Sequence, residues 1–457
     1  MKTIITPILI ALSILVSCNS NNDTQNSETQ TQTDNKQSNI PLLVVTGFGS
    51  KKENISLATL KKDYCAGKIY LFATAKEKAK QYFGCENNKI IQSLEDFVPL
   101  AKNDELLIID LENSIPQFKA LAIDGIQFFS NAKQYPLTNP DKNLTSFDFS
   151  KNVTHFILTG VTAITRHMGA LADQQGTDFL VKNLLPHFRN ADLVHISNEV
   201  SISDPCDYQG VNAAYSFCTK EAHFAPILAL GADIIELTGN HNLDYGAEAY
   251  KKTMQWYEKH QLQTFGGGLS PELANTPLII TLKDGKKIGF IGFNELCPSG
   301  ECADKTIGAN RYEPEKAKKV IEKMRKELKA DLIFVGVQFS EVDAYAPTPS
   351  QTKISYELLD FGADVVYGSQ AHQIQQIEFR KGKAIFHGLG NFLFDQVHRI
   401  GVRQAYFLHH YIYKGKLIQS IPVFTFMAEN REPTLANPAE IADMKKVAYI
   451  DALLYKW

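Results

Sequence analysis

The chain has 457 residues, with 47 Lys and Arg against 50 Asp and Glu, a formal net charge of −3 and 44% apolar residues. A balance so close to zero gives no argument for a nucleic-acid partner, and the ordinary globular composition excludes a wholly disordered or fibrous chain. The length is that of two or more domains.

Met1-Lys2 supplies a short positive n-region and Ile4 to Val16 an apolar h-region, and Leu15-Val16-Ser17-Cys18 ends it with small residues before a cysteine. Residues 1–18 therefore read as a signal peptide closed by a lipobox, with Cys18 as the lipidation site. The apolar run is too short to cross a bilayer comfortably, which sets aside a plain membrane anchor. The expected location is the cell envelope, lipid-anchored and facing the periplasm or the exterior. Residues 19–40 are almost entirely Asn, Gln, Ser, Thr, Asp and Lys, with too little apolar surface to offset the entropy of ordering. They are expected to form a tether with a reach on the order of 25 Å.

Six further cysteines agree with export, and pairing by nearness in the chain joins Cys65 to Cys85, Cys206 to Cys218 and Cys297 to Cys302. Zinc is the competing use of these thiols, but no Cys-x-x-Cys occurs and Cys297-Pro-Ser-Gly-Glu-Cys302 reads better as a disulfide-closed turn.

From 41 to 147 the pattern alternates: a strand at Leu42 to Thr46, a helix at Leu57 to Asp63, and strands at Lys68 to Phe72 and Leu106 to Ile109. The Asn-, Pro- and Asp-rich stretch Gln134 to Phe149 reads as an interdomain linker. A second domain, 153–457, follows. Its expected strands are Phe156 to Gly160, Leu193 to Ser197, Ile234 to Thr238, Leu278 to Thr281, Ile288 to Gly292, Leu332 to Val337 and Val365 to Gly368. Helices are expected at Asp173 to His187, Thr219 to Leu230, Ala247 to His260, Glu313 to Leu328 and Ser350 to Phe361. Ala384 to His387 and Ala405 to Tyr413 are strands without an intervening helix, so the sheets are mixed. Phe265-Gly266-Gly267-Gly268 lacks the Gly-Lys-Ser/Thr of a phosphate loop and reads as a flexible strand exit.

In open α/β sheets ligands collect where strands finish. Ile234 to Thr238 runs into Gly239-Asn240-His241-Asn242-Leu243-Asp244-Tyr245-Gly246, packing an amide, an imidazole and a carboxylate into five residues. Gly-Asn-His after a strand is typical of metal-dependent phosphoesterases, with the Asn oxygen on a metal and the His giving a proton to the leaving group. Val194 to Ser197 ends at Asn198-Glu199, which is either a site carboxylate or a surface turn. Val365 to Gly368 leads to Ser369-Gln370-Ala371-His372, where His372 is a candidate ligand or acid/base. Gly388 and Gly390 permit close backbone approach, and Asn391 beside them is either structural or substrate-facing.

Two phrases, Ile55-Ser56-Leu57-Ala58-Thr59-Leu60 and Pro116 to Gly125, resemble phosphate-type periplasmic binding proteins. That resemblance covers only 41–147 and lacks the second lobe that clamps a ligand, so it implies a structural module or a single binding lobe. Across Phe156 to Gln396 the ordered motifs Gly160 to Arg166, Ser197-Asn198-Glu199, Gly239 to Gly246, Gln338-Phe339, Gly368 to Gln375 and Gly388 to Gln396 resemble the CapA family of capsule (poly-γ-glutamate) biosynthesis proteins. The fold this implies is α/β: a calcineurin-like, metallophosphatase-type layered sandwich with mixed sheets, plus a smaller N-terminal α/β module.

The departures fall on ligand positions. Val161 stands where the family has Asp, and Gln338 and Gln370 stand for histidines; glutamine oxygen is a weak ligand for transition metals. By resemblance, the catalytic candidates are His241, Glu199 and Asp244. The metal candidates are Asn240, His372 and Glu199, and the substrate-facing ones are Arg166, Gln338, Glu341, Gln370 and Asn391. These residues either hold one divalent ion of unknown identity, act without metal as a carboxylate and histidine pair, or bind polymer without turnover. The implied partners are an anionic envelope polymer or the capsule machinery, with the membrane reached through the lipid; a solute-binding lipoprotein is the alternative of a different class.

Overall fold

The computed structural model describes residues 39–139, 144–206, 216–298 and 300–449. The expected signal peptide, Cys18 and nearly all of the tether lie outside the described residues. No helix among them is long and apolar enough to cross a membrane.

A mixed five-stranded sheet, ordered Ile90–Ile91, Tyr70–Phe72, Leu107–Asp110, Leu42–Gly47, Phe118–Ala120, forms the N-terminal part. The Leu42–Gly47 strand is apolar on both faces and wholly buried, which suits its central place, antiparallel to a neighbour on each side. Its core does not stand alone: Val153, Tyr411, Tyr413 and Ile418 of the following region belong to the same cluster. Gln419, buried, donates its amide to the Phe118 carbonyl at 2.9 Å and accepts the Ala120 N–H at 3.0 Å, so the two regions are joined by hydrogen bonds as well as by apolar contact. Within the expected linker, Tyr135 and Leu137 are buried, and the Leu137 carbonyl accepts the Leu42 N–H at 3.0 Å. This stretch is packed against the first strand.

The larger part is a layered α/β sandwich of two mixed sheets. One contains Gln263–Phe265, Ile234–Glu236, Leu193–Asn198, Val153–Thr162, Gln404–Tyr413, Lys416–Met427 and Pro433–Leu435 in that order, with Asn391–Leu393 also on Val153–Thr162. The other runs Leu278–Thr281, Lys287–Asn294, Leu332–Gln338, Val365–Ser369, Lys383–Phe386, Ile377–Arg380. Side-chain alternation explains the layers. Phe156, Leu158, Phe290 and Phe334 fill the core between the sheets. Their neighbours Ile157 and Ile196 face the helices Arg166–Gln175 and Gly246–Lys259, while Ile333 and Val335 face Pro314–Lys326 and Pro349–Phe361. Polar groups in the middle layer include a pair: His195 Nε2 meets Glu236 Oε2 at 3.0 Å, and Thr238 donates to the other Glu236 oxygen at 2.6 Å.

Several elements differ from expectation for local reasons. The helix expected over Asp173–His187 is Arg166–Gln175, closed by Gly176 at φ 85°, after which come a 3-10 turn at Thr177–Leu180 and a short helix, Leu185–Phe188, with Pro186 in its first turn. The helix expected over Thr219–Leu230 is a 3-10 turn, Glu221–Phe224, followed by Ala225–Ala229. Gly267–Gly268 is no flexible exit but a short strand paired with Gly308–Ala309. A Cβ on Gly268 would lie 2.5 Å from the Ala274 nitrogen, so the glycine serves close packing. Cys65–Cys85, Cys206–Cys218 and Cys297–Cys302 are all joined, with Cα separations of 5.7, 5.7 and 5.6 Å.

Gln419→Ala removes both bonds between the N-terminal sheet and the sandwich and is expected to cost about 2–3 kcal/mol. Equilibrium denaturation reads the loss; a cost near zero would mean that the Gln419 bonds add nothing to the apolar contact and to the exposed Lys414–Glu112 and Lys445–Glu53 pairs.

Candidate functional site

The parallel strands of the two sheets end on one edge, and the loops leaving them carry the polar residues. Glu199 follows Leu193–Asn198, the turn 239–246 follows Ile234–Glu236, Gln338 closes Leu332–Gln338, and 370–372 follows Val365–Ser369. Arg166 opens its helix just after Val153–Thr162, and Asn391 starts a strand paired with Val161. Arg166, Gln370 and His372 have φ of 45°, 77° and 53°, so left-handed backbone at non-glycine residues gathers at these loops.

The turn after Ile234–Glu236 builds a histidine and carboxylate pair. His241 Nδ1 meets Asp244 Oδ2 at 2.7 Å, and the same oxygen accepts the Phe217 N–H at 2.7 Å. An ordered chain of amides backs the other side of the ring. Ser369 Oγ donates to Gln338 Oε1 at 2.6 Å, which turns Gln338 Nε2 toward Asn240 Oδ1 at 3.0 Å and toward Gln370 Oε1. The Asn240 amide nitrogen is then left facing His241 Nε2 at 3.2 Å. A neutral His241 in this chain accepts at Nε2 and donates from Nδ1 to Asp244.

Glu199 is 2% exposed, and among the described residues its carboxylate makes no well-formed hydrogen bond, the Gln338 amide acting on it only weakly as a donor. Burial, with Asp244 adding to it, pushes its carboxyl up to about 7, against the pull of His241, Gln338 and Arg166. At His241, burial works against the charged form, but the bond to Asp244 and the Glu199 charge outweigh it and raise the imidazole above its ordinary value. His372 is buried too; its Nδ1 meets Asn391 Oδ1 at 2.8 Å, and desolvation pushes it down to about 4, so the ring is neutral at ordinary pH.

Two candidates take places the sequence does not indicate. Arg166 is paired with Asp395 and lies between two rings, its Cζ 4.5 Å from Phe217 and 4.9 Å from Phe394. It is thus paired within the protein while its side chain keeps 19% exposure and its charge reaches Glu199, His241 and His372. Glu341 is exposed at the rim and reaches His372 only through its charge. Glu199, Asn240, His241, Asp244, Gln338, Gln370, His372 and Asn391 do come together. Sequence reasoning missed Phe217 and Phe394 as parts of the site; no local pattern marks an aromatic residue as the cover of a histidine.

The model of the bacterial capsule synthesis protein family PGA_cap matches residues 155–396, more than half of the chain. The chain belongs to this family. It is 27% identical over 245 residues to the capsule biosynthesis protein CapA of Bacillus anthracis, covering 52% of this chain and 59% of that one. To the PGA biosynthesis protein CapA of Bacillus subtilis it is 26% identical over 249 residues, 54% of this chain and 65% of that protein. The chain thus spans less than two thirds of the length of either relative. Among solved structures, the NAD nucleotidase of Haemophilus influenzae matches with a TM-score of 0.37 at 12% identity, over 64% of this chain and 55% of that one. Residues 41–147 fall outside the family match.

The residues present do not fit a metal centre of the metallophosphatase kind. Among the described residues no three His, Cys, Asp or Glu side chains stand together as a metal-holding group. Val161 brings hydrocarbon to the position of the expected carboxylate, and the Asn240 oxygen is already engaged by Gln338.

Between about pH 4.5 and 7 the folded protein keeps a Glu199 proton that the unfolded chain has lost, so this group's contribution to stability falls as pH rises through that window. Glu199→Gln removes this group's share of the slope. Its stability relative to the native protein is expected to grow across the window and level off on the order of 3 kcal/mol. Denaturation at several pH values checks this; a difference that does not change with pH would show that the carboxyl is not held neutral.

Proposed function

We propose that the chain serves the synthesis, export or anchoring of an anionic capsule or envelope polymer of the poly-γ-glutamate kind, and that the Glu199–His241 cleft is an acid–base centre cleaving or transferring its amide-linked chain. The observation that carries this reading is Glu199: a buried carboxyl with the Gln338 amide as its weak hydrogen-bonding neighbour, pushed up to about 7 by burial, beside a histidine oriented by Asp244. Membership of the capsule synthesis family supports the substrate class.

In this mechanism His241 takes the proton of the attacking water or amine and returns it to the leaving nitrogen, with Asp244 stabilising the imidazolium. Glu199, protonated, donates a hydrogen bond to the carbonyl oxygen as negative charge develops there. Gln338 and Asn240 hold the ring, and no step runs through a metal. A lipid on Cys18 would keep the cleft within tether reach of the membrane, where such a polymer is handled.

A second reading, binding of polymer without turnover, is favoured by Val161, Gln338 and Gln370 in place of ligands. Assays of γ-glutamyl hydrolysis and transfer on poly-γ-glutamate, with a phosphodiesterase assay beside them, separate the two. The acid–base reading expects His241→Ala and Glu199→Gln each to lose roughly 10²–10⁴-fold in rate, with chelator leaving the native rate unchanged. Polymer binding without turnover supports the second reading, and absence of both overturns the function as proposed.

A further inference from the structure

Cys218 is fixed from two sides. It pairs in parallel with Ser201, as Thr219 does with Ile202, and its carbonyl accepts Thr165 Oγ1 at 2.7 Å; its sulfur is bonded to Cys206. The preceding residue, Phe217, touches three parts of the cleft. Its N–H donates to the Asp244 oxygen that His241 also uses, its ring centroid lies 4.0 Å from that of His241, and it stands 4.5 Å from the Arg166 guanidinium carbon. At 6% exposure the Phe217 ring covers the imidazole, whose side chain retains 14%.

We propose that Phe217 is a positioning residue for the His241–Asp244 pair and that the Cys206–Cys218 disulfide holds it there, so that the cleft is complete only in the oxidised chain. The inference rests on the acid–base reading for its consequence in catalysis, but its geometry stands apart from any substrate. To form the bond, the two thiols give up two protons and two electrons to a disulfide oxidant of the envelope, which leaves as a dithiol. In a reducing compartment Phe217 lacks this covalent restraint and is held only through the short strand pairing and the Thr165 bond at Cys218, so its cover of the pair and its hydrogen bond to Asp244 loosen. Oxidation after export thus couples completion of the site to arrival where the polymer is handled.

Carbethoxylation of histidines by diethyl pyrocarbonate, followed residue by residue by mass spectrometry on the full chain, tests this without a substrate. Phe217→Ala, and separately the paired change Cys206→Ser with Cys218→Ser, should each raise the His241 rate several-fold, while Phe217→Tyr keeps the native rate. His372, tilted against Phe394 and bonded to Asn391, should not change. Should the double serine variant fail to fold, native protein with Cys206 and Cys218 reduced by a phosphine and capped takes its place. An unchanged His241 rate in either Phe217→Ala or the disulfide-free protein overturns the proposal, as does a rise shared equally by His372, which would report general loosening. If His241 becomes reactive as expected and no polymer turnover is ever found, the functional reading fails and this one stands.

Discussion

A Cβ atom built on Gly239 would sit 2.3 Å from Cβ and 2.7 Å from Cα of Glu199, so only glycine lets the 239–246 turn lie against that residue. This contact sets the chemistry of the cleft. It puts backbone where water would otherwise solvate the Glu199 carboxyl, and it brings Asn240, His241 and Asp244 over the ends of Leu193–Asn198 and Leu332–Gln338. The same device recurs on the facing side, where a Cβ on Gly160 would meet the Gly390 carbonyl at 2.3 Å. That approach lets the Asn391 strand pair with Val161 and delivers Asn391 to His372. Two glycine crossings thus bring together side chains from both halves of the sandwich.

Neutral amides at Gln338 and Gln370 fit this burial. A cluster of carboxylates and imidazoles at such depth needs a cation or protons to be tolerated. Gln338, by contrast, satisfies Ser369, Asn240 and Gln370 with one neutral group that both donates and accepts. Val161 removes another charge from the floor. What is left is a site in which proton affinity is set by desolvation and by the Asp244 contact, and in which the direction of each hydrogen bond follows from its neighbour.

Most strands of the sandwich were legible in the sequence because they are continuous apolar runs ended by polar residues, as buried parallel strands must be. The polar residues at their ends marked the cleft for the same reason. Helix boundaries failed where Gly176 and Pro186 divide an apolar periodicity that looks continuous. The Lys416–Met427 strand escaped notice because Pro422 interrupts it; it pairs opposite Leu408 nonetheless. Arg166 read as an open cation because its partner Asp395 lies 229 residues further along the chain. Phe217 reaches the cleft through a disulfide and a two-residue parallel pairing, neither of which leaves a periodic trace.

The charge balance of the cleft bears on how it meets a polyanion. Arg166 pairs with Asp395, His241 with Asp244, His372 is neutral, and burial pushes the Glu199 carboxyl up to about 7, so among these residues each cation already has a carboxylate partner. Affinity must then come largely from hydrogen bonds, and the protonated Glu199 is one of the groups able to donate, beside the amides of the cleft. A ligand carboxylate placed beside it would raise its proton affinity further, since two like charges at that depth cannot both persist. Binding and protonation are therefore linked: the polymer that fills the cleft would also keep Glu199 in the form that assists the carbonyl. With amides at Gln338 and Gln370 and hydrocarbon at Val161, such coupling would let the carboxyl itself give electrophilic assistance on the proposed acid–base reading.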